Sequence, residues 1–229
     1  MISLLCPTRN RLGNIERLWC SIVETVDDIS DIELILYVDD DDHSYDGLDL
    51  SGNFKVITGP RIVLSECWNR AYEASSGDIL MHLGDDIIMR TKGWDTVVKA
   101  AFDEYPDHIV FIYGSDGGPM TDFGTHGFIH RKWAKTVGYF VPPYYSSDYN
   151  DTHLNDVAKM LGRHRRVDIF TEHMHPAFHK AEWDITHQER LARHNRDRVD
   201  ELYHSVPMQE ERKDNARKLK EVIDGTKVS

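Results

Sequence analysis

No stretch of this chain approaches the roughly 20 consecutive apolar residues of a membrane-crossing helix, so no span is expected. The N-terminus, Met1-Ile2-Ser3-Leu4-Leu5-Cys6-Pro7, lacks a basic start and a small-residue cleavage site, so no signal peptide is expected. Cysteine is scarce. Cys6, Cys20 and Cys67 form an odd, scattered set without metal-ligand spacing, which points to a reducing, cytoplasmic setting. Basic charge is also short: 27 Lys and Arg face 39 Asp and Glu, a net charge of −12. A chain that held nucleic acid by bulk electrostatics would be basic, so the deficit argues against non-specific DNA binding. The local exception is Arg163, His164, Arg165 and Arg166, which reads equally as a basic groove or a solvated turn. Internal repeats and low-complexity tracts are absent.

What is present is a globular pattern of strand followed by helix. Apolar runs at 2–6, 32–38, 54–59, 78–83 and 108–114 predict strands. Residues 12–26 carry Leu12, Ile15, Leu18, Trp19, Ile22 and Val26 at helical spacing, and helices are also predicted over 64–77 and 93–105. Ser65 is a candidate N-cap and Gly77 a candidate stop for the second of these. The alternation implies right-handed crossovers and a mostly parallel sheet. The Gly-rich segment 114–128 reads as a loop or a pair of short strands, 147–163 as a loop feeding a helix, and 167–170 as a short strand. Residues 186–223 read as charged helix broken at Pro207.

In such sheets ligands bind beyond the carboxyl ends of the strands, and polar residues collect at three of them. Thr8-Arg9-Asn10-Arg11 follows the first strand, Asp39 to Asp42 the second, and Asp85-Asp86 the fourth. A carboxylate pair at a buried strand end costs several kcal/mol to desolvate unless it faces water or holds a cation. Mg²⁺ and Mn²⁺ take such oxygen ligands together with phosphate oxygens, whereas a plain acidic turn is the competing reading. His173 and His175, two apart on an extended segment, point to one side, and either could complete a metal shell. Asp151, beside Asn150 and close to Asp148, is either a helix-start acid or a general base. Asp39 lies nearest its strand and is the acid of its run expected to be fixed.

The order of these features resembles the GT-A fold glycosyltransferases, in particular the inverting, metal-dependent enzymes of family 2. "LLCPTRNR" (4–11) resembles that family's opening strand and nucleotide loop, and "LILYVDDDD" its second strand, whose terminal acid contacts the base. "GPRIVLSECWNRAYEASSGDILMHLGDD" resembles the helix and strand that lead to the family's DxD motif. "GTHGFIHRKWAKTVGYF" resembles its acceptor-side segment, "NDTHLNDVAKMLGR" the helix carrying the catalytic base, and "EHMHP" the late metal-binding histidine.

The resemblance implies an α/β, GT-A (Rossmann-like), mostly parallel sheet flanked by helices, with a C-terminal helical arm. It implies a glycosyltransferase domain over 1–180, its nucleotide-sugar half about 1–115 and acceptor half about 116–180, and a helical extension over 181–229. Asp151 would be the catalytic base. Pro7, Thr8, Arg9, Asn10, Arg11, Asp39, Asp40, Arg61, Asn69 and Asp85 would bind the nucleotide sugar. Asp86 and His175 would hold Mn²⁺ or Mg²⁺, His175 being preferred over His173 because Pro176 keeps it extended. The implied partners are a nucleotide-sugar donor, with a UDP-sugar expected, and an acceptor saccharide or other hydroxyl compound. Trp133 and Tyr144 are candidates to stack on sugar, with core packing the plainer role. Gly84 and Asn150 depart from the family pattern, standing where it has the first acid of DxD and a Glu.

Two other readings compete. A phage-type DNA glycosyltransferase acting on hydroxymethylated bases would use the run Arg163 to Arg166. A nucleotidyltransferase, or a non-catalytic nucleotide-binding module, would share the sheet. The former of that pair usually has a Gly-rich loop after the first strand, and here no glycine appears there before Gly13.

Overall fold

The computed structural model describes residues 1–193 and 195–227. Its first part follows the predicted alternation: β1 (Ile2–Thr8), α1 (Leu12–Thr25), β2 (Ile32–Asp39), β3 (Phe54–Gly59), α2 (Leu64–Ala74) and β4 (Ile79–His82). β1 and β2 are buried along their whole length, as expected of continuous apolar runs in parallel strands. α1 buries Ile15, Leu18, Trp19 and Ile22, the stripe its spacing predicts. In α2 the predicted caps differ. Val63 occupies the N-cap, while the Ser65 hydroxyl donates to the Tyr145 carbonyl at 2.5 Å. The helix closes at Ala74 with Ser75 as C-cap. Gly77 instead gives its N–H to Glu33, at a spot where a Cβ would run into Ser3.

The second part departs from simple alternation. It comprises β5 (Ile87–Met89), α3 (Trp94–Asp103), β6 (Phe111–Ser115), β7 (Gly127–His130), α4 (Arg131–Val137), α5 (Asn150–Leu161) and β8 (His164–His173). α6 (Ile185–Arg193), α7 (Arg196–His204) and α8 (Val206–Lys227) follow. The predicted strand 108–114 starts only at Phe111, because residues before it turn: His108 has φ 59° and its N–H donates to Tyr105 O at 2.7 Å. The predicted strand 167–170 runs longer at both ends, so the basic run from His164 onward lies on a strand and not in a turn. The predicted helical stretch 186–223 includes His194, which lies outside the described residues, and the break falls at Ser205, just before Pro207.

Among the described residues the strands form one eight-stranded sheet in the order β3-β2-β1-β4-β7-β6-β8-β5. β3, β2, β1 and β4 are parallel neighbours, as is β6 with β8. β7 runs antiparallel to both β4 and β6, and β5 antiparallel to β8. Successive residues send side chains to opposite faces. Leu4, Leu34 and Leu36 join Trp94, Val98 and Phe102 in one core layer. Leu5, Ile35 and Leu80 join Trp68, Trp133, Leu154, Leu219 and Ile223 in the other. Trp133 is therefore core, and α8 packs Leu219 and Ile223, one turn apart, into the main body. Among the described residues no helix is long and apolar enough to cross a membrane.

Glu33 is the one charge in the apolar run of β2, and it is buried. It accepts from Ser3 Oγ, Ser76 Oγ and the N–H groups of Ser76 and Gly77, and so ties β1 and β2 to the start of β4. Burial opposes its ionisation, but these donors outweigh burial and hold its pKa below the ordinary glutamate value. Its stabilising effect is therefore complete above the unfolded pKa of about 4.3 and is lost as pH falls through the lower folded value. Glu33→Gln should lower unfolding free energy by about 1–3 kcal/mol at pH 7, with the gap narrowing in acid. Urea unfolding at the two pH values checks this, and equal midpoints at pH 7 would contradict it.

Candidate active site

The parallel register aligns the carboxyl ends of β1, β2 and β4, and a cleft of about 640 Å³ opens beyond them. Asp85 and Asp86, both buried, enter it just after β4 and face different partners. Asp85 accepts from Thr8 Oγ1 at 2.8 Å and from Arg11 Nη1 at 2.8 Å. Asp86 lies 3.2 Å from His173 Nε2. That pairing follows from the strands: β5 and β8 pair Ile87 with His173, and Met174 N–H donates to Asp86 O at 2.7 Å. Burial raises the Asp85 pKa against the pull of Arg11. Burial would raise Asp86 too, but the hydrogen bond and charge of His173 prevail and hold it below the ordinary carboxylate range.

A third group joins from β7. Its antiparallel pairing with β4 sets Phe128 against Met81, which carries His126 alongside the residues after His82. Possible ligand atoms of Asp86, His126 and His173 lie within 4.8 Å of one another, the spacing of a cation site. His126 Nε2 and His173 Nδ1 are buried without a hydrogen-bond partner. Burial, then His173 and His82, push the His126 pKa well below the ordinary imidazole value, so the ring is neutral and able to act as a ligand. One carboxylate and two imidazoles with open valences therefore fit a divalent cation.

The expected ligand His175 lines the same cleft but lies outside this trio. It caps the short turn Pro176–Phe178, where its Nδ1 accepts from Ala177 N–H at 3.1 Å. Burial, followed by the charge of His173, lowers its pKa to about 4. Both histidines look inward, as their spacing predicts, but strand pairing and not Pro176 decides which one meets Asp86.

The three arginines expected to bind the nucleotide sugar all line the cleft, and acids hold each of them. Arg9 bonds Asp39 at 3.0 Å and also Asp41. Arg11 bridges Asp85 and Asp184, the latter at 2.7 Å, and contacts His187. Arg61 bonds Glu189 at 2.5 Å and lies 3.7 Å from Asp39. Pro7, Thr8 and Asp39 line the cleft as expected, and burial raises the Asp39 pKa against the attraction of Arg9.

Three other expected donor-binding residues point elsewhere. Asp40 is exposed, and its N–H is spent on Gly59 O. Asn10 has φ 53° and gives its N–H to Asp42. The Asn69 carboxamide holds the backbone of Phe140 and Val141. Tyr144 is 41% exposed and bonds Glu211. In the basic run, Arg163 pairs with Asp107 at 2.9 Å and Arg165 with Glu104 at 3.3 Å. Neither lines the cleft.

Asp151 lines the same cleft from the first turn of α5. It is not the N-cap; that position is Tyr149, at φ 74°. Its Oδ1 accepts only from its own turn, from Thr152 N–H at 2.8 Å. Burial, with the charge of Asp148 adding to it, pushes its pKa up to about 6, the Thr152 bond opposing. Beside it the Asn150 side chain donates to Ser147 O and leaves Oδ1 buried without a partner.

Sequence reasoning missed His126 and the anions Asp184 and Glu189. The signal for His126 was a histidine closely flanked by Gly124 and Gly127 within a segment already recognised. For Asp184 and Glu189 there was none, because charged helices are commonly solvated.

The model of glycosyl transferase family 2 matches residues 3–170. No curated protein sequence matches the chain. Solved structures share the fold at low identity. TarS of S. aureus (residues 1–349, in complex with UDP) superposes with a TM-score of 0.58 at 15% identity, over 91% of this chain and 76% of that one. Glucosyl-3-phosphoglycerate synthase of Mycobacterium tuberculosis, in complex with Mg²⁺ and UDP, gives 0.59 at 17% identity, over 84% and 75%. The mannosyltransferase PcManGT of Pyrobaculum calidifontis, in complex with GDP-Man and Mn²⁺, gives 0.54 at 11%, over 100% and 75%.

The Asp151 environment generates a direct expectation. A carboxyl ¹³C titration should show Asp151 ionising near pH 6, well above an ordinary aspartate. A value near 4 would mean that the cleft hydrates this carboxyl fully.

Proposed function

Because this chain belongs to glycosyl transferase family 2, and is a glycosyltransferase, we propose that it transfers a sugar from a UDP-sugar to an acceptor hydroxyl, with inversion and with the aid of Mn²⁺ or Mg²⁺. The observation that carries this reading is a single cleft lined by both groups: Asp86 paired with His173, and Asp151. The UDP named for TarS and for the mycobacterial synthase supports a uridine donor, and the Mg²⁺ and Mn²⁺ named for two neighbours support a divalent ion.

In this reading Asp39 and the cleft around Pro7 receive the nucleotide base. Arg9, Arg11 and Arg61 receive the diphosphate, which takes the place of Glu189 and Asp184 on the guanidinium groups. Asp86 and His173 would hold a divalent ion, which would supply Lewis-acid neutralisation of charge on the leaving diphosphate. Asp151, ionised and poorly solvated, accepts the proton of the acceptor hydroxyl. That oxygen forms its bond to the anomeric carbon as the bond from this carbon to the diphosphate oxygen breaks on the opposite face. The proton rests on the Asp151 carboxylate and the electron pair leaves with UDP. The acceptor half is formed by the 116–180 segment, and Asp184, just before α6, and Glu189, on α6, supply the anions that occupy Arg11 and Arg61 before the donor arrives.

Two outcomes are expected. Calorimetric titration should show UDP binding that needs Mn²⁺ or Mg²⁺ in the wild type and that collapses in Asp86→Asn; metal-dependent binding retained in the variant would refute the assignment of Asp86. Asp151→Asn should lower kcat by about 10²- to 10⁴-fold with UDP affinity preserved. The wild-type rate should rise with pH through about 6, since the ionised form is the active base. A variant that keeps kcat, or a profile flat between pH 5 and 7, would remove Asp151 from that role.

A further inference from the structure

We propose that His126 is a third protein ligand of the cation site, standing beside the space that Gly84 leaves open, and that the resulting set of one carboxylate and two imidazoles favours Mn²⁺ and Co²⁺ over Mg²⁺. This rests on the reading that Asp86 and His173 hold the ion.

The tautomer of His126 is determined by its surroundings. Nδ1 lies 3.3 Å from the His82 carbonyl oxygen, which can only accept, so Nδ1 carries the proton. Nε2 then bears the lone pair. It is buried, has no hydrogen-bond partner and lies 4.0 Å from where a Cβ on Gly84 would stand, and His126 belongs to the cluster with Asp86 and His173. An imidazole that gives one N–H to a backbone carbonyl and turns the other nitrogen to a carboxylate cluster is arranged as a metal ligand. The plain alternative is a core histidine satisfied on both nitrogens, and His126 is satisfied on one.

Gly84 supplies the second, independent observation. A Cβ at that position would stand 2.9 Å from Asp86 Oδ1 and 3.3 Å from His126 Cε1. Residue 84 is where the family pattern has the first acid of its DxD motif. Here a side chain would press on the Asp86 carboxylate and crowd the His126 ring, so the glycine keeps that space clear for both. The carboxylate missing from the loop after β4 is thus answered by an imidazole from the segment before β7, and the β4–β7 pairing brings the two together. Asp85 does not make up the difference, since Thr8 and Arg11 take up its oxygens. Replacing oxygen with nitrogen changes selectivity. Mg²⁺ prefers carboxylate, carbonyl and water oxygens, whereas imidazole suits first-row transition metals.

The test uses the full-length protein with UDP and Mn²⁺. Pulsed EPR of bound Mn²⁺, with and without ¹⁵N-histidine labelling, counts the coordinated imidazole nitrogens in the wild type and so does not depend on any variant folding. Two are expected. Mn²⁺ binding followed by continuous-wave EPR, with Mg²⁺ as competitor, should weaken by about 10- to 100-fold in His126→Gln, while Mg²⁺ affinity changes far less. One coordinated nitrogen in the wild type, or an unchanged ratio of Mn²⁺ to Mg²⁺ affinity in His126→Gln, overturns the role of His126. If Asp86→Asn still abolishes ion binding in that case, the proposed function stands without it. Mn²⁺ binding that survives Asp86→Asn as well would overturn both.

Discussion

Two adjacent carboxylates at the end of a buried strand are the constraint on which this molecule turns. Burial opposes ionisation of both Asp85 and Asp86, and a buried carboxylate without a partner is strongly destabilising. The fold answers each acid differently. Asp85 is tied back to the loop after β1 through Thr8 and Arg11. Asp86 turns to the other side and meets His173, with His126 close by. The neighbouring acids therefore have distinct roles: one anchors the loop of arginines, and the other keeps valences open toward the cleft.

This division explains why the sheet changes direction where it does. The parallel strands β3-β2-β1-β4 gather the polar groups at their carboxyl ends on one side. A sheet that continued in the same sense would offer the acid pair only helix starts and loops. Instead β7 runs antiparallel beside β4, and β5 pairs antiparallel with β8, and these pairings deliver His126 and His173 to Asp86. The C-terminal helices complete the enclosure from outside the sheet. α8 is anchored in the core, while Asp184 and Glu189 reach the arginines at the mouth of the cleft.

Much of this was legible in the sequence because it was written in local patterns. The apolar runs of β1, β2 and β4 end in polar residues, and a parallel sheet gathers such ends on one side. The acid pair and the arginine loop could be located on that basis, and Asp151 from its place at a helix start within a segment that resembles the family's. What stayed hidden depended on pairing between distant segments. β5 is only three residues long and follows the acids at once, so the apolar pattern assigned it no strand of its own. Without β5 the register of β8 is unknown, and the choice between His173 and His175 fell to a local backbone rule. The role of Gly84 needed the position of the His126 ring, 42 residues away in the chain. Asn69 is a case where tertiary contacts engage a residue picked out by a local pattern: its carboxamide is consumed in holding Phe140 and Val141.

The central claim is that the buried end of β4 is a cation site facing a nucleotide diphosphate. A crystal structure with UDP and Mn²⁺, using anomalous scattering at the manganese edge, tests it most directly. The account predicts one anomalous peak bonded to Asp86 and His173 and touching the diphosphate, with Arg11 turned from Asp184 toward phosphate oxygen. A manganese peak at another location, or UDP bound with Asp86 and His173 still hydrogen-bonded only to each other, would contradict it.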